Sequence, residues 1–246
     1  MEHKRPYVMS IAGYDPSGGA GVLADIKVFE QHKTYGFAVI TSNTFQDDEK
    51  VNAVEWISIE DIKKQADVIL NKFEVDVFKV GIMKDMDMFL QLKEHVLEKD
   101  PSVKIVWDPI LASTSGFRFL EGKHSIEKLL EHVYVVTPNL PEFEKLFGHE
   151  EKALKLSYKT AVYLKGGHNE HVQKGVDELF YKGEKIIFRP SGHNVSSKHG
   201  SGCILSSSIA ANLALGKELK EACELAKAYT EKTLASNTTL LAYHHH

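Results

Sequence analysis

The sequence has few of the residues that mark secreted or membrane-spanning proteins. Only two cysteines, Cys203 and Cys223, occur in 246 residues, which argues against a disulfide scaffold and favours a reducing compartment. The amino terminus is charged and lacks the apolar region of a signal peptide. No apolar run approaches the length of a membrane span. These absences predict a cytoplasmic protein that does not enter a membrane.

The sequence also lacks an excess of positive charge. Lys and Arg total 30 against 34 acidic residues, which gives a net charge of −4. Nothing in this balance predicts binding to nucleic acid or to an anionic membrane. Apolar residues make up 43% of the chain and charged residues 26%. This composition is typical of a folded protein with a sizeable core.

A Walker A motif is absent as well, which argues against P-loop phosphoryl transfer. Gly19-Ala20-Gly21, followed by Ala24, does match the dinucleotide pattern G-x-G-x-x-A. The preceding strand is predicted to end near Ile11, so the intervening turn is too long for that motif. A nucleotide-dependent dehydrogenase is therefore disfavoured.

Short apolar runs alternate with amphipathic segments along the chain. Strands are predicted at residues 7–11, 37–44, 75–80, 104–107, 134–137, 160–164, 177–180 and 185–189. Helices are predicted at residues 21–31, 59–71, 86–98, 126–131, 140–146, 204–214 and 219–236. This alternation predicts one α/β domain over residues 1–246, with a mostly parallel sheet, helices on both faces and an antiparallel edge hairpin.

Two stretches are predicted to lack regular structure. Residues 149–159 are polar and are expected to form a surface loop. His244, His245 and His246 end the chain, where a disordered tail is favoured over a set of metal ligands.

The segment His199-Gly200-Ser201-Gly202-Cys203 precedes a predicted helix of small residues. Helix starts leave backbone N–H groups unpaired and carry partial positive charge, so this segment predicts a site for an anion or a developing oxyanion. The same position favours a thiolate at Cys203. A glycine turn followed by a buried, packing cysteine explains these residues equally well, and this alternative stays open.

Other candidate residues follow predicted strands. Ligands of such sheets bind at the carboxyl ends of the strands, which is where residues 13–21, Gln46, Gly81, Asp108, Asn139, Lys165, Gly166 and Gly167 fall. Each has a structural alternative. Lys165 could be a solvated loop lysine, Asp108 a turn residue, and Asn139 with Glu142 a helix cap.

Four motifs in this order resemble one family. They are residues 10–21 together with Asp25, residues 137–142, residues 164–168 and residues 199–203. They resemble the hydroxymethylpyrimidine/phosphomethylpyrimidine kinases of thiamine biosynthesis, in the ribokinase-like superfamily, over about residues 7–235. The resemblance implies a three-layer αβα sandwich, a homodimer, and ATP with Mg²⁺, and it leaves open whether K⁺ assists. The implied small-molecule substrate is 4-amino-5-hydroxymethyl-2-methylpyrimidine, phosphorylated on its hydroxymethyl group and then on the resulting phosphate.

The resemblance also assigns roles to single residues. Implied catalytic residues are Gly200, Ser201, Gly202, Cys203 and Lys165, with Cys203 as the base for the substrate hydroxyl. Implied substrate-binding residues are Gln46, Asp25, Gly13, Ala20, Ile82 and Ile110. Implied nucleotide-binding residues are Asn139, Lys165 and Gly167, and implied metal-binding residues are Asp108 and Glu142. Residues 112–119 are expected to form a flap over the site.

The sequence departs from the family pattern beside Gln46. Asp47 and Asp48 stand where the family has Asn and Thr, and their charges would repel a phosphorylated substrate if they pointed inward. Ile82 stands where Met is usual, and Ser201 where Thr is usual. The second phosphorylation is therefore less secure than the first. A pyridoxal or pyridoxine kinase and a non-catalytic pyrimidine sensor remain as alternatives.

Overall fold

The computed structural model describes residues 5–110, 124–166, 175–192 and 195–244. The strands within these residues are β1 (Tyr7–Tyr14), β2 (Tyr35–Gln46), β3 (Val51–Trp56), β4 (Val77–Val80), β5 (Lys104–Trp107), β6 (Val135–Val136), β7 (Ala161–Leu164), β8 (Asp177–Tyr181) and β9 (Glu184–Phe188). The helices are α1 (Gly21–Gln31), α2 (Ile59–Leu70), α3 (Met86–Lys99), α4 (Ile126–Leu130), α5 (Leu140–Phe147), α6 (Glu150–Leu156), α7 (Ser201–Ala214) and α8 (Leu219–Leu234).

The described strands form one sheet in the order β3-β2-β1-β4-β5-β6-β7-β8-β9. The six strands from β2 to β7 in this order pair in parallel. Strands β8 and β9 continue the sheet as an antiparallel hairpin. The predicted mostly parallel sheet with an antiparallel edge hairpin is confirmed, and β3 adds a second antiparallel pair at the opposite edge.

Helices cover both faces of the sheet, because successive strand side chains point to opposite sides. Val77 and Val106 pack with apolar residues of α1, α7 and α8. Phe78 and Trp107, which follow them in sequence, pack with apolar residues of α2 to α6. The two apolar clusters are the cores of a three-layer αβα arrangement.

Local sequence signals explain the start of two helices and the turn of the predicted edge hairpin. Ser58 and Asp85 cap α2 and α3 by accepting hydrogen bonds from the backbone N–H groups of Asp61 and Met88. The β8–β9 hairpin turns at Lys182 and Gly183, which both have positive φ (53° and 79°). This is the backbone of a two-residue type I′ turn, which favours glycine.

Other local predictions are wrong. The polar segment 149–159, expected as a surface loop, contains α6, which begins with two glutamates and buries Ala153 against the rest of the fold. Strand β3 is not among the predicted strands, because none of its residues is fully buried and they form no strong apolar pattern. Helix α7 begins at Ser201 rather than at Ile204.

The last described residue, His244, contacts helix α8. Nδ1 of His244 lies 2.8 Å from the hydroxyl of Tyr229 on α8, so the predicted disordered tail does not include His244. The last two histidines lie outside the described residues. None of the helices in the described ranges combines the length and the apolar character needed to cross a bilayer.

Candidate active site

The charged residues predicted at the ends of β5, β6 and β7 converge on one point. Nζ of Lys165 lies 2.8 Å from Oδ1 of Asp108 and 3.9 Å from Oε2 of Glu142. The hydroxyls of Thr137 and Ser206 each donate to Asp108 at 3.2 Å. Parallel strands end at the same edge of a sheet, which is why residues so distant in sequence meet here.

Electrostatic coupling keeps this cluster charged. Burial alone would raise the pKa of Asp108, but Lys165 and Lys79 hold it below its ordinary value. Burial would likewise lower the pKa of Lys165, and the carboxylates of Asp108 and Glu142 raise it instead. Lys165 is therefore a fixed cation at the sheet edge, with 15% of its side chain exposed.

Asn139 and Glu142 build the start of α5. The side chain of Asn139 accepts a hydrogen bond from the backbone N–H of Glu142 at 2.9 Å, and the carboxylate of Glu142 accepts one from the backbone N–H of Asn139 at 2.7 Å. This is a capping box. Asn139 also forms a parallel β-bridge with Lys165. The predicted helix cap is thus present, and it lies directly beside the lysine.

The amino-terminal end of α7 faces the same cluster. Gly200 caps the helix with φ of 74°, a conformation that side chains disfavour. A Cβ atom on Gly202 would lie 3.2 Å from Nζ of Lys165. The unpaired N–H groups at the start of α7 and the lysine ammonium therefore converge, which is the arrangement that an anion needs.

The glycine-rich loop after β1 packs against this helix start. Asp15 accepts hydrogen bonds from the backbone N–H groups of Ser17 and Ala20, both at 2.8 Å. Its Oδ2 also lies 2.8 Å from Nε2 of His199. A Cβ atom on Gly200 would lie only 2.0 Å from the carbonyl oxygen of Gly19. The two loops therefore form one tightly packed unit.

The prediction of a thiolate at Cys203 is wrong for the structure as it stands. The side chain is buried, and burial raises the pKa of the thiol to about 11. The Asp108 and Asp25 carboxylates act in the same direction, while Lys79 and the Gly21 N–H partly oppose them. The helix start does not outweigh desolvation, so Cys203 is a neutral thiol near pH 7.

Asp25, which is expected to contact the substrate, is held by three partners within the protein. Its carboxylate is fully buried and lies 2.9 Å from Nζ of Lys79. It also accepts hydrogen bonds from Ser10 at 2.5 Å and from Ser207 at 2.6 Å. These partners engage both carboxylate oxygens and fix Asp25 between β1, β4 and α7, and its contact with substrate stays a prediction.

Sequence reasoning missed Lys79, the partner of Asp25. It is fully buried within β4, between Phe78 and Val80, and points to the face covered by α1 and α7. The signal was available, because a lysine inside a four-residue apolar strand needs a buried carboxylate partner. Its ammonium also interacts electrostatically with Cys203 and Asp108.

Gln46 lines an open cavity of about 530 Å³ at the β2–β3 edge, together with Tyr14 and Thr44. Asp47 lies on the same rim, but its carboxylate accepts hydrogen bonds from the backbone N–H groups of Glu49 and Lys50, at 3.0 and 2.8 Å. Asp47 therefore stabilises the turn between β2 and β3.

Other residues expected in the substrate pocket occupy neighbouring positions. A Cβ atom on Gly13 would lie 2.9 Å from Cγ2 of Ile82, so these two residues share one wall. Ile110 is half-buried, and its N–H donates to the carbonyl oxygen of Asp108 at 2.9 Å. Gly167 and the expected flap at residues 112–119 lie outside the described residues.

Comparisons with known proteins identify the family of this chain. The sequence profile of the family described as phosphomethylpyrimidine kinase matches residues 15–246. This chain belongs to the phosphomethylpyrimidine kinase family. A hydroxymethylpyrimidine/phosphomethylpyrimidine kinase of Rhizobium meliloti is 34% identical over 243 residues, which cover 93% of this chain and 90% of that protein.

Solved structures extend the comparison to the fold. A phosphomethylpyrimidine kinase from Clostridium difficile is 32% identical, with a TM-score of 0.76, and the match covers 93% of this chain and 99% of that one. An ADP complex of Bacillus subtilis pyridoxal kinase is 26% identical, with a TM-score of 0.83 and coverages of 96% and 94%. The ribokinase-like fold and the phosphotransferase class, both expected from the sequence, are confirmed.

Proposed function

We propose that this chain transfers the γ-phosphoryl group of ATP to the hydroxymethyl group of 4-amino-5-hydroxymethyl-2-methylpyrimidine, and then phosphorylates the product to the diphosphate. The observation that carries the proposal is the convergence of Lys165 with the start of α7, where Gly202 comes close to its ammonium. Phosphoryl transfer depends on positioning and on neutralising charge more than on covalent chemistry by the protein. Family membership supports the same substrate class.

Lys165 and the start of α7 would neutralise the transferring group from two sides. The N–H groups of Ser201, Gly202 and Cys203 lie in the first turn of α7, where they lack helical acceptors. Lys165 would contact nucleotide phosphates, with Asn139 beside it, and we propose Gly167 as a further nucleotide contact. These donors are fixed before the reaction, which is the condition for electrostatic stabilisation of a transition state.

Asp108 and Glu142 fit a Mg²⁺ ion that is held mainly by water and nucleotide phosphates. Both carboxylates lie within 4 Å of Nζ of Lys165, and Mg²⁺ is commonly bound by one or two carboxylates with water and phosphate. When bound, the ion would offset the negative charge of the phosphates. No cluster of three potential metal ligands occurs among the described residues, in keeping with a site completed by the nucleotide.

Cys203 lies at the helix start where the reacting hydroxyl would approach. Because its pKa is raised to about 11, we propose that the thiol positions the substrate and that little thiolate is present at neutral pH. A loose transition state makes a small demand on a base. The main rate enhancement would then come from Lys165 and the α7 donors.

The pyrimidine ring is proposed to lie between the glycine loop and the β2 edge. The amide of Gln46 can donate to and accept from an aminopyrimidine edge at the same time. Gly13, Ala20, Ile82 and Ile110 would supply the walls, and Asp25 would hold Lys79 beneath them. The Asp47 carboxylate accepts hydrogen bonds within the hairpin turn, and we propose that this directs its charge toward the turn rather than toward a phosphorylated substrate.

Pyridoxal is a second candidate substrate, favoured by the structural similarity to the Bacillus subtilis pyridoxal kinase. An assay of ADP release with MgATP separates the candidates when the pyrimidine alcohol, its monophosphate and pyridoxal are offered separately. Turnover of the pyrimidines supports the proposal, and turnover of pyridoxal alone contradicts it. A non-catalytic sensor is disfavoured because Lys165 and the glycine-rich start of α7 are both present.

The remaining properties are proposals of the same kind. We propose that residues 1–246 form one domain, which the continuous sheet supports. We propose action in the cytoplasm, which is supported by two free buried cysteines, and assembly as a homodimer. Whether K⁺ assists is best decided by measuring turnover in potassium and in sodium buffers.

A further inference from the structure

The segment after α8 folds back onto the residues that precede α7. The backbone N–H of His199 donates to the carbonyl oxygen of Leu240 at 2.9 Å. The hydroxyl of Ser196 donates to the carbonyl oxygen of Asn237 at 2.9 Å. We call residues 236–241 the C-terminal segment. It lies against the strand-free stretch that leads directly into Gly200 and α7.

Lys198 makes the most concentrated contact with the C-terminal segment. Its ammonium donates to the carbonyl oxygen of Asn237 at 2.6 Å, to Oδ1 of Asn237 at 2.8 Å and to the carbonyl oxygen of Thr239 at 2.5 Å. Only 6% of the residue is exposed. An ammonium group has three N–H donors, so this small cage of oxygen atoms satisfies all of them.

The cage connects directly to the candidate anion site. His199, the next residue, contacts Asp15 of the glycine-rich loop through its ring at 2.8 Å. The C-terminal segment also reaches that loop, since a Cβ atom on Gly19 would lie 3.0 Å from Cδ2 of Leu241. Lys198 therefore fixes one side of a packed unit whose other side is Gly200 and the start of α7.

We propose that Lys198 is a positioning residue, whose ammonium acts as an internal cation that anchors the C-terminal segment and thereby fixes the start of α7 for phosphoryl transfer. The inference rests on the proposed kinase function. Removing the ammonium takes the Lys198 hydrogen bond from the Thr239 carbonyl oxygen and one donor from each oxygen of Asn237, which still accept from Ser196 and Thr239. This loss weakens the link between the C-terminal segment and the residues before α7. Small displacements of groups that stabilise a transition state reduce rates strongly.

Three variants test this role. Lys198→Met keeps the length of the side chain without its charge and is expected to lower kcat about 10- to 100-fold with a much smaller change in KM. Lys198→Ala leaves a space lined by oxygen atoms, so added ammonium ions should restore part of its kcat and leave Lys198→Met unchanged. Lys217→Met is the matched control, because Lys217 pairs with Glu221 on the surface, and it should keep wild-type kinetics.

A folded Lys198→Met variant with wild-type kcat would overturn the inference. So would a folded Lys198→Ala variant whose reduced kcat does not respond to ammonium ions. Wild-type turnover is measured first, because its absence would contradict the proposed function rather than the anchoring role of Lys198. Amide hydrogen exchange then tests whether Lys198 anchors the C-terminal segment. Exchange at His199 and in the first turn of α7 should accelerate in Lys198→Met, and unchanged exchange would contradict the anchoring role.

Discussion

The ammonium of Lys79 lies 2.9 Å from the carboxylate of Asp25, and neither side chain is exposed to solvent. The pair joins β4 to α1, and Ser207 extends it to α7. Removing one member of such a pair leaves a buried charge without compensation. This relationship links the stability of the fold to the two helices that carry the candidate site.

Lys79→Met is therefore expected to lower the free energy of unfolding by about 3–5 kcal/mol. Replacing both charges, in Lys79→Met with Asp25→Asn, should recover a large part of that loss because no unpaired ion remains. Lys64→Met is a control, since Lys64 pairs with Asp61 at the surface and should change stability by less than about 0.5 kcal/mol. Urea unfolding measures all three. A Lys79→Met variant as stable as the wild type would refute the assignment of this buried ion pair.

Lys165→Met is expected to reduce kcat by about 10²- to 10³-fold, the effect of losing one donor to a developing charge. The cause is loss of a cation that Asp108 and Glu142 keep protonated. Lys165→Arg should recover part of the rate, whereas the exposed Lys159→Met should behave as the wild type. Steady-state kinetics together with a melting curve separate lost catalysis from lost folding. Wild-type kcat in Lys165→Met would remove this residue from the site.

Asp15 is expected to make the stability depend on pH in the acidic range. Burial opposes its ionisation, but hydrogen bonds from His199, Ser17 and Ala20 lower its pKa from 3.8 to about 2. The lowered pKa contributes about 2 kcal/mol to the free energy of unfolding. This contribution is fully present above pH 3.8 and is lost as the pH falls through 2. Asp15→Asn should lose it near neutral pH and flatten the curve below pH 4. Parallel acid profiles for both proteins would contradict the pairing with His199.

Cys203 is expected to remain a thiol across the neutral range. With a pKa of about 11, only about 1% of the group is ionised two pH units lower. The difference in ultraviolet absorbance between the wild type and Cys203→Ser should therefore show thiolate only in strongly alkaline solution. A thiolate signal near pH 7 in the ligand-free protein would show that the helix start lowers the pKa of Cys203 by more than burial raises it.

Much of the fold could be predicted because hydrophobic periodicity separates buried strands from amphipathic helices. The sequence was least informative where tertiary contacts decide the structure. Strand β3 lies at an exposed edge without a strong apolar pattern. Helix α6 has only seven residues and buries only Ala153, so its polar sequence resembles that of a loop.

In the candidate site, too, local features could be predicted from the sequence and tertiary contacts could not. The capping box of Asn139 and Glu142 is local, and spacing alone suggested it. The contact between Lys165 and Asp108 requires β5 and β7, which β6 separates, to end at the same edge of the sheet. The alternation of strands and helices implies this arrangement but does not give the distance. A lysine inside the apolar strand β4 signals a buried partner, but the identity of that partner, Asp25, and the protonated state of Cys203 depend on burial and on charges from other elements. Such effects require three-dimensional coordinates.

The most direct test of the account is ADP release by the wild-type protein with MgATP and 4-amino-5-hydroxymethyl-2-methylpyrimidine, its monophosphate or pyridoxal in separate reactions. The proposed kinase function predicts turnover of both pyrimidines, with at least about a hundredfold lower rate in Lys165→Met. Turnover of pyridoxal alone, or pyrimidine binding without any ADP release, would contradict it.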